Sequence, residues 1–527
     1  MSAAALPMNG APAAERPAIN PWIIALAVTL ATFMEVLDTS IANVALPHIA
    51  GGLSAGVDES TWVLTSYLVS NAIVLPLSGW LSSIMGRKRF YMSCVALFTM
   101  SSFLCGFATN LPMLIIFRIM QGAGGGGLQP SEQAILADTF PPAKRGMAFA
   151  VYGVAVVTAP ALGPTLGGWI TDNYSWRWIF FINIPVGILS LLLTSRLIQD
   201  PPYFLRRKLS ETRIDYIGLG MIALGLGTLQ VILDKGQRDD WFDSHFILGL
   251  TIVCVCSLLF VIVWEWRHKD PIIDLHLFSQ RTFAAANFLM FMLGFVLLGS
   301  TLLLPLFMQT VLGYTAERAG MALTPGGLVI MAILPFVGFL LSKVDARRLM
   351  VVGLAALSLA LFHMTSFDLQ IDFHTAMMAR IYQAAGLAFL FVPINTAAYA
   401  FLPREKNNAA SGLMNLARNI GGSVGISFVT TMLERREQHH MNQLASHLSA
   451  SNPALRSTLA GLAGKFGGNA ADATQRAYAL LQSTVGRQAS MLAYIDCFWL
   501  LAVSSLIMIP LVFVMKKTRQ SGPMAAH

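Results

Sequence analysis

The chain has 527 residues, 55% of them apolar and 12% charged, with a formal net charge of +8. Soluble domains carry roughly 25% charged residues, so this composition excludes an ordinary water-soluble protein and indicates an all-α, polytopic membrane protein. The basic excess suits anionic lipid headgroups and gives no reason to propose nucleic-acid binding.

Residues 1–21 are rich in Ala and Pro and are expected to form a disordered tail. No small-residue cleavage site follows a short apolar stretch there, so the first helix is expected to be retained. Apolar runs of about 20 residues can cross a bilayer core. Fourteen occur, near 22–43, 60–81, 90–108, 112–137, 147–171, 177–195, 214–234, 245–266, 284–308, 320–341, 348–367, 376–400, 409–432 and 491–515.

In the first run Glu35 and Asp38 are three residues apart and share a helix face, about 20–24 Å in from Trp22 and so near the midplane. Two carboxylates this close in a low dielectric cannot both ionise cheaply, and one is expected to hold a proton near neutral pH. A proton carrier needs this; alternatively one acid faces water and the other is a structural partner of Arg118.

The second run ends in Gly79, Gly86 and the basic triplet Arg87, Lys88 and Arg89. In the fourth, Arg118 is followed by Gln121 and Gly122, and Glu132 lies nearly four turns further on, which places it close to the face of Arg118 or, alternatively, at a wet mouth. The glycines at 123–127 resemble a phosphate loop only until one sees that no Lys-Ser/Thr follows; close helix packing is the better reading. In the fifth run Gly163, Pro164, Gly167 and Gly168 permit a kink and the close approach of a partner helix.

The pattern recurs. Leu64-Thr65, Leu75-Pro76 and Gly79 return as Leu323-Thr324, Leu334-Pro335 and Gly338, and Arg118 with Gln121 returns as Arg380 with Gln383, both at an offset of about 260 residues. A guanidinium in hydrocarbon is costly, so its repetition points to parallel halves of a transporter with polar groups lining a path. Arg418, with Asn419, Gly421 and Gly422, reads as a further polar packing point of the second half. The five cysteines lie in apolar runs without metal-ligand spacing and read as packing residues; no metal, nucleotide or other cofactor site is evident.

The segment from Gly79 through Gly86-Arg87-Lys88-Arg89, the Arg118-Ile-Met-Gln121-Gly122 run and Gly163-Pro164 with Gly167-Gly168 together resemble the three signatures of the major facilitator superfamily. The stretch Leu37-Asp38-Thr39-Ser40 to Pro47, with fourteen spans, resembles its EmrB/QacA-type drug:proton antiporters. The long outer segment before the last span and the stretch 178–185 favour the EmrB branch. The resemblance implies the major facilitator fold, with two six-helix halves and two inserted helices, in a bacterial inner membrane. It also implies gating by the motif glycines and basic residues, and work with a periplasmic adaptor and an outer-membrane channel. One position departs: Ser83 stands where the family commonly has an aspartate, so the charge lock is expected to rest on Arg87, Lys88 or Arg89.

With both termini cytoplasmic, the inner segments hold twenty-two Lys and Arg and the short outer loops four, as the positive-inside rule requires. The chain then divides into a tail (1–21), a first bundle (22–196), linkers with a two-helix hairpin (197–281), a second bundle (282–515) with an outer loop at 434–489, and a second tail (516–527). The hairpin is expected to lie beside the bundle, outside the substrate path. The leading expectation is a proton-driven exporter of hydrophobic or amphipathic toxic compounds, a cause of antibiotic resistance, and not an enzyme. The alternative is an exporter or symporter of one metabolite or lipid; a non-transporting scaffold gives no reason for repeated intramembrane arginines.

Overall fold

The structure is a computed structural model and describes residues 20–200, 215–268, 271–446, 448, 452–466 and 469–517. The tails at 1–19 and 518–527, and Arg206, Arg207, Lys208, Arg213 and Lys269 of the topology count, lie outside the described residues.

Among the described residues fourteen long helices follow one another. They are α1 (Pro21–Gly52), α2 (Trp62–Met85), α3 (Arg87–Gly106), α4 (Leu111–Thr139), α5 (Pro142–Asn173), α6 (Trp178–Leu197), α7 (Tyr216–Lys235), α8 (His245–Arg267), α9 (Arg281–Thr310), α10 (Thr324–Leu340), α11 (Ala346–Met364), α12 (Phe373–Tyr399), α13 (Asn407–Ser446) and α14 (Ala470–Ile507). Asn20, Asp215, Asp345 and Asp372 cap α1, α7, α11 and α12 by accepting a backbone N–H of the first turn. A single residue, Gly86, joins α2 to α3 at φ 86°, a conformation that costs a side chain but not glycine.

Eleven of these helices are long and apolar enough to cross a membrane, and α5, bent by 43° between Pro160 and Leu162, makes a twelfth. The other two, α3 and α13, fall short on composition: α3 opens on three basic residues, and α13 is rich in Asn, Ser and Gly before its charged outer end.

In one group α1 packs on α5 and α6, α4 lies against α2 and α3, and α3 meets α6; in the other α13 packs on α9 and α14, and α12 lies against α9, α10 and α11. Two seams join the groups, α5 against α10 and α2 against α13. Small residues set the second: a Cβ on Gly79 would lie 2.8 Å from the Ala409 Cα, and one on Gly412 2.7 Å from the Leu75 carbonyl.

The α7–α8 hairpin does more than lie beside the bundle, because it straddles that seam. Lys235 Nζ donates to Thr61 Oγ1 at 2.6 Å and Asp234 accepts from Thr65, both beside or in α2. Gln230 and the loop residue Trp241 reach Ser423 and Thr431 of α13, at 3.0 and 3.1 Å. Helices α13 and α14 are 40 and 38 residues long, well beyond the roughly 20 that span a core, so they project together from the end opposite the basic triplet. His440–Asp496 (2.9 Å) and Ser490–Glu437 (2.6 Å) tie the projecting parts.

Candidate functional site

A buried polar core lies where α1, α4 and α6 meet. Arg118 Nη1 donates to Asp38 Oδ2 at 2.7 Å and to Gln121 Oε1 at 2.6 Å. Gln121 turns its amide nitrogen to the other Asp38 oxygen at 3.0 Å, and Asn183 of α6 donates to that same oxygen at 2.6 Å. Both amides also reach Ser102 of α3. The Arg118 Nε bonds the Val63 carbonyl at 3.0 Å, and its guanidinium lies 4.4 Å from the centre of the Tyr67 ring. Every charged member is sealed from solvent, with Arg118 at 0% and Asp38 at 2% exposure. A buried pair of this kind needs its other hydrogen-bonding positions filled; the two amides fill those of Asp38, while Arg118 Nη2 has no hydrogen-bond partner.

Glu35, one turn away, is held differently. Its oxygens accept from Tyr67 (3.1 Å), Asn71 (3.4 Å) and Gln129 (2.6 Å), all neutral groups. The nearest cation acts through Gln129, whose carbonyl oxygen accepts from Arg418 across the seam and from Tyr152 at 3.0 Å. Tyr67 thus touches both acids' surroundings, its hydroxyl on Glu35 and its ring under Arg118. The glycines of α4 make room for this: a Cβ on Gly125 would lie 2.6 Å from the Tyr67 hydroxyl, and one on Gly122 2.4 Å from the Tyr67 carbonyl.

Glu132 does not join Arg118. Fourteen residues are about 21 Å of helix, so both side chains meet α1 at different heights: Arg118 at Asp38 and Glu132 at Thr29, from which it accepts at 2.6 Å. Thr29 is nine residues from Asp38 on α1, about 13 Å along its axis.

In the second group Arg380 Nη1 donates to Gln383 Oε1 at 2.7 Å, as in the first, but its Nη2 reaches only the Thr301 hydroxyl, at 3.0 Å. Arg418 is more than a packing point, since it bonds Gln129 of the other group; the packing is done by Gly294 and Gly421, where an added Cβ would sit 2.1 and 2.0 Å from facing carbonyl oxygens.

At the basic end the charge lock rests on Arg87, which pairs with Asp138 at the end of α4; both side chains are buried. Asp138 also accepts from Asn407 of α13 at 2.8 Å, so one carboxylate ties α3 to the opposite group. Lys88 holds the end of α6, its backbone N–H on Asp200 and its ammonium on the Ser195 carbonyl, while Arg89 is exposed. Ser83 bonds its own helix, at the Trp80 carbonyl.

In α5, Pro164 cannot donate to the carbonyl of Pro160, and Ser40 of α1 bonds that oxygen at 3.3 Å. The partner helix is therefore α1: a Cβ on Gly163 would lie 2.2 Å from Ser40 Oγ and one on Gly167 3.1 Å from Ile41, whereas Gly168 has nothing within 4 Å. Sequence reasoning missed Asn183, Gln129, Tyr67, Asn71 and Asp138. Asn183 and Gln129 were detectable as amides inside apolar runs; Tyr67 and Asp138 carry no such signal.

A family model of the Major Facilitator Superfamily matches residues 28–426. The multidrug export protein EmrB of Escherichia coli (strain K12) is 37% identical, covering 95% of this chain and 96% of its own. The fatty acid resistance protein FarB of Neisseria gonorrhoeae is 38% identical, covering 95% and 97%. Among solved structures, the proton:xylose symporter XylE superposes with a TM-score of 0.62 at 14% identity, over 95% of this chain and 96% of that one. The chain belongs to the Major Facilitator Superfamily, as an EmrB-type multi-pass membrane transporter.

Proposed function

We propose that the protein is a proton-coupled multidrug efflux antiporter of the bacterial inner membrane, exporting hydrophobic or amphipathic toxic compounds by alternating access. The observation that carries the reading is the pair Glu35 and Asp38, buried one turn apart at the meeting of three helices, one with a cation and one without. Asp38 is the fixed charge and Glu35, bonded only by neutral donors, is the group suited to taking up and giving back a proton. Their link through Tyr67, Gln129 and Arg418 to the second half lets a change of charge at Glu35 alter the contact between halves. The EmrB and FarB names support multidrug or fatty-acid export.

In this reading all fourteen helices span, both termini are cytoplasmic, and bundles 22–196 and 282–515 rock against each other. The Arg87–Asp138–Asn407 bonds and the Gly79–Ala409 contact form a closed inner gate. The projecting α13–α14 pair is the docking surface for a periplasmic adaptor of a tripartite pump with an outer-membrane channel. The test is dye efflux with simultaneous proton flux in proteoliposomes. Substrate-induced proton movement in the opposite direction supports the reading; efflux unaffected by collapse of the proton gradient refutes it. A cysteine placed at Ser457 labelled by an impermeant reagent from outside, and one at Arg207 protected, supports the orientation.

A further inference from the structure

The first half shows how an Arg-x-x-Gln turn receives a carboxylate. Arg118 and Gln121 lock together through Nη1 and Oε1 at 2.6 Å, and the lock aims one guanidinium N–H and one amide N–H at the two oxygens of Asp38. Arg380 and Gln383 form the same lock at 2.7 Å, on the same turn of the repeated helix. Here no carboxylate follows. The offset that separates the two arginines takes Asp38 to Ser300, and its neighbour Thr301 offers Arg380 a hydroxyl. The Arg380 Nε and the Gln383 Nε2 are buried without a hydrogen-bond partner, in side chains 7% and 0% exposed. Among the described residues no acid lies within ion-pair distance of Arg380. In the first half the Val63 carbonyl takes the Nε and Asp38 takes the amide nitrogen; in the second the amide nitrogen beside the guanidinium is left unfilled, which is unfavourable, and a visiting carboxylate fills it.

We propose that Arg380, Gln383 and Thr301 form a substrate subsite for the carboxylate of an acidic amphiphile. The subsite lies in the second half, apart from the Asp38 and Glu35 pair. Two-point recognition selects a planar carboxylate over an amide of the same shape, because the amide offers only one acceptor. Gly326, whose added Cβ would lie 3.0 Å from the Arg380 Cγ, lets α10 pack closely beside the arginine stem. The inference rests on the export reading for its substrate, and binding tests it separately from transport.

The experiment is equilibrium binding of dodecanoate, dodecanamide and dodecyltrimethylammonium to the full-length protein in lipid nanodiscs, with melting curves for each variant. Wild type is expected to bind dodecanoate about tenfold more tightly than the amide. Arg380→Gln and, separately, Gln383→Leu should erase that preference and leave the ammonium unaffected; Gln383→Leu keeps the guanidinium and guards against misfolding of the first. A preference intact in both variants, equal weakening of all three ligands, or no preference in wild type each overturns the subsite. Export of the ammonium against a gradient in proteoliposomes, run in parallel, distinguishes failure of the subsite from failure of the export reading.

Discussion

The two Arg-x-x-Gln turns are near copies in backbone and in their internal hydrogen bond, yet they differ in charge. Arg118 is neutralised by Asp38 of its own half, whereas Arg380 meets only Thr301. The costly residue stands in both places, and the acid in one. A symmetric packing device would carry the same pair twice. Under the proposed function the asymmetry would give the halves different work: proton exchange in the first and the proposed carboxylate subsite in the second.

The largest break in this comparison is Asp38→Asn. It leaves Arg118 buried without a counter-charge, at a cost of about 3–5 kcal/mol, and efflux should fall to that of protein-free vesicles. The double variant Asp38→Asn with Arg118→Gln should recover much of the melting temperature but none of the transport, separating stability from coupling. The reverse exchange, Thr301→Asp, gives the second half the acid it lacks. It is expected to raise the melting temperature and to suppress binding of dodecanoate while sparing cations; unchanged dodecanoate binding would remove the meaning given to the asymmetry.

A smaller effect is expected at the inner gate, where Arg87→Ala unties α3 from Asp138 and should lower turnover more than substrate affinity. Equal loss of both would count against gating. Ser83→Asp, beside the basic end, should be tolerated. Within α5 the glycines provide a graded control. Gly163→Ala forces a methyl into Ser40 and should destabilise by about 1–3 kcal/mol. Gly168→Ala meets open space and should be neutral or slightly stabilising. Similar melting shifts for the two would contradict the α1–α5 packing described.

The fold was legible because its signals are long: apolar runs mark the helices, and a repeated costly residue marks the halves. The Asp38–Arg118 contact was open to inference as one of two alternatives, since both residues are charges in hydrocarbon. The partners of Glu35 were not, because Tyr67, Asn71 and Gln129 reach it from helices whose rotation no single sequence specifies. Glu132 and Arg118 both meet α1, and they stand apart because fourteen residues are about 21 Å of helix. Asp138 escaped notice because it lies at a helix end near other charges, where an acid is unremarked until Arg87 and Asn407 are seen on it. The straddling position of α7–α8 follows from polar contacts such as Gln230–Ser423 that composition cannot reveal.

The central claim is that the buried acids of the first half exchange protons for substrate. Its most direct test is proton release on adding dodecyltrimethylammonium to purified protein in weakly buffered solution, for wild type, Glu35→Gln, Asp38→Asn and the double variant. Release is predicted in wild type, lost in Glu35→Gln and absent in the double variant while the ammonium still binds. Undiminished release from the double variant would contradict the account and direct attention to Glu132.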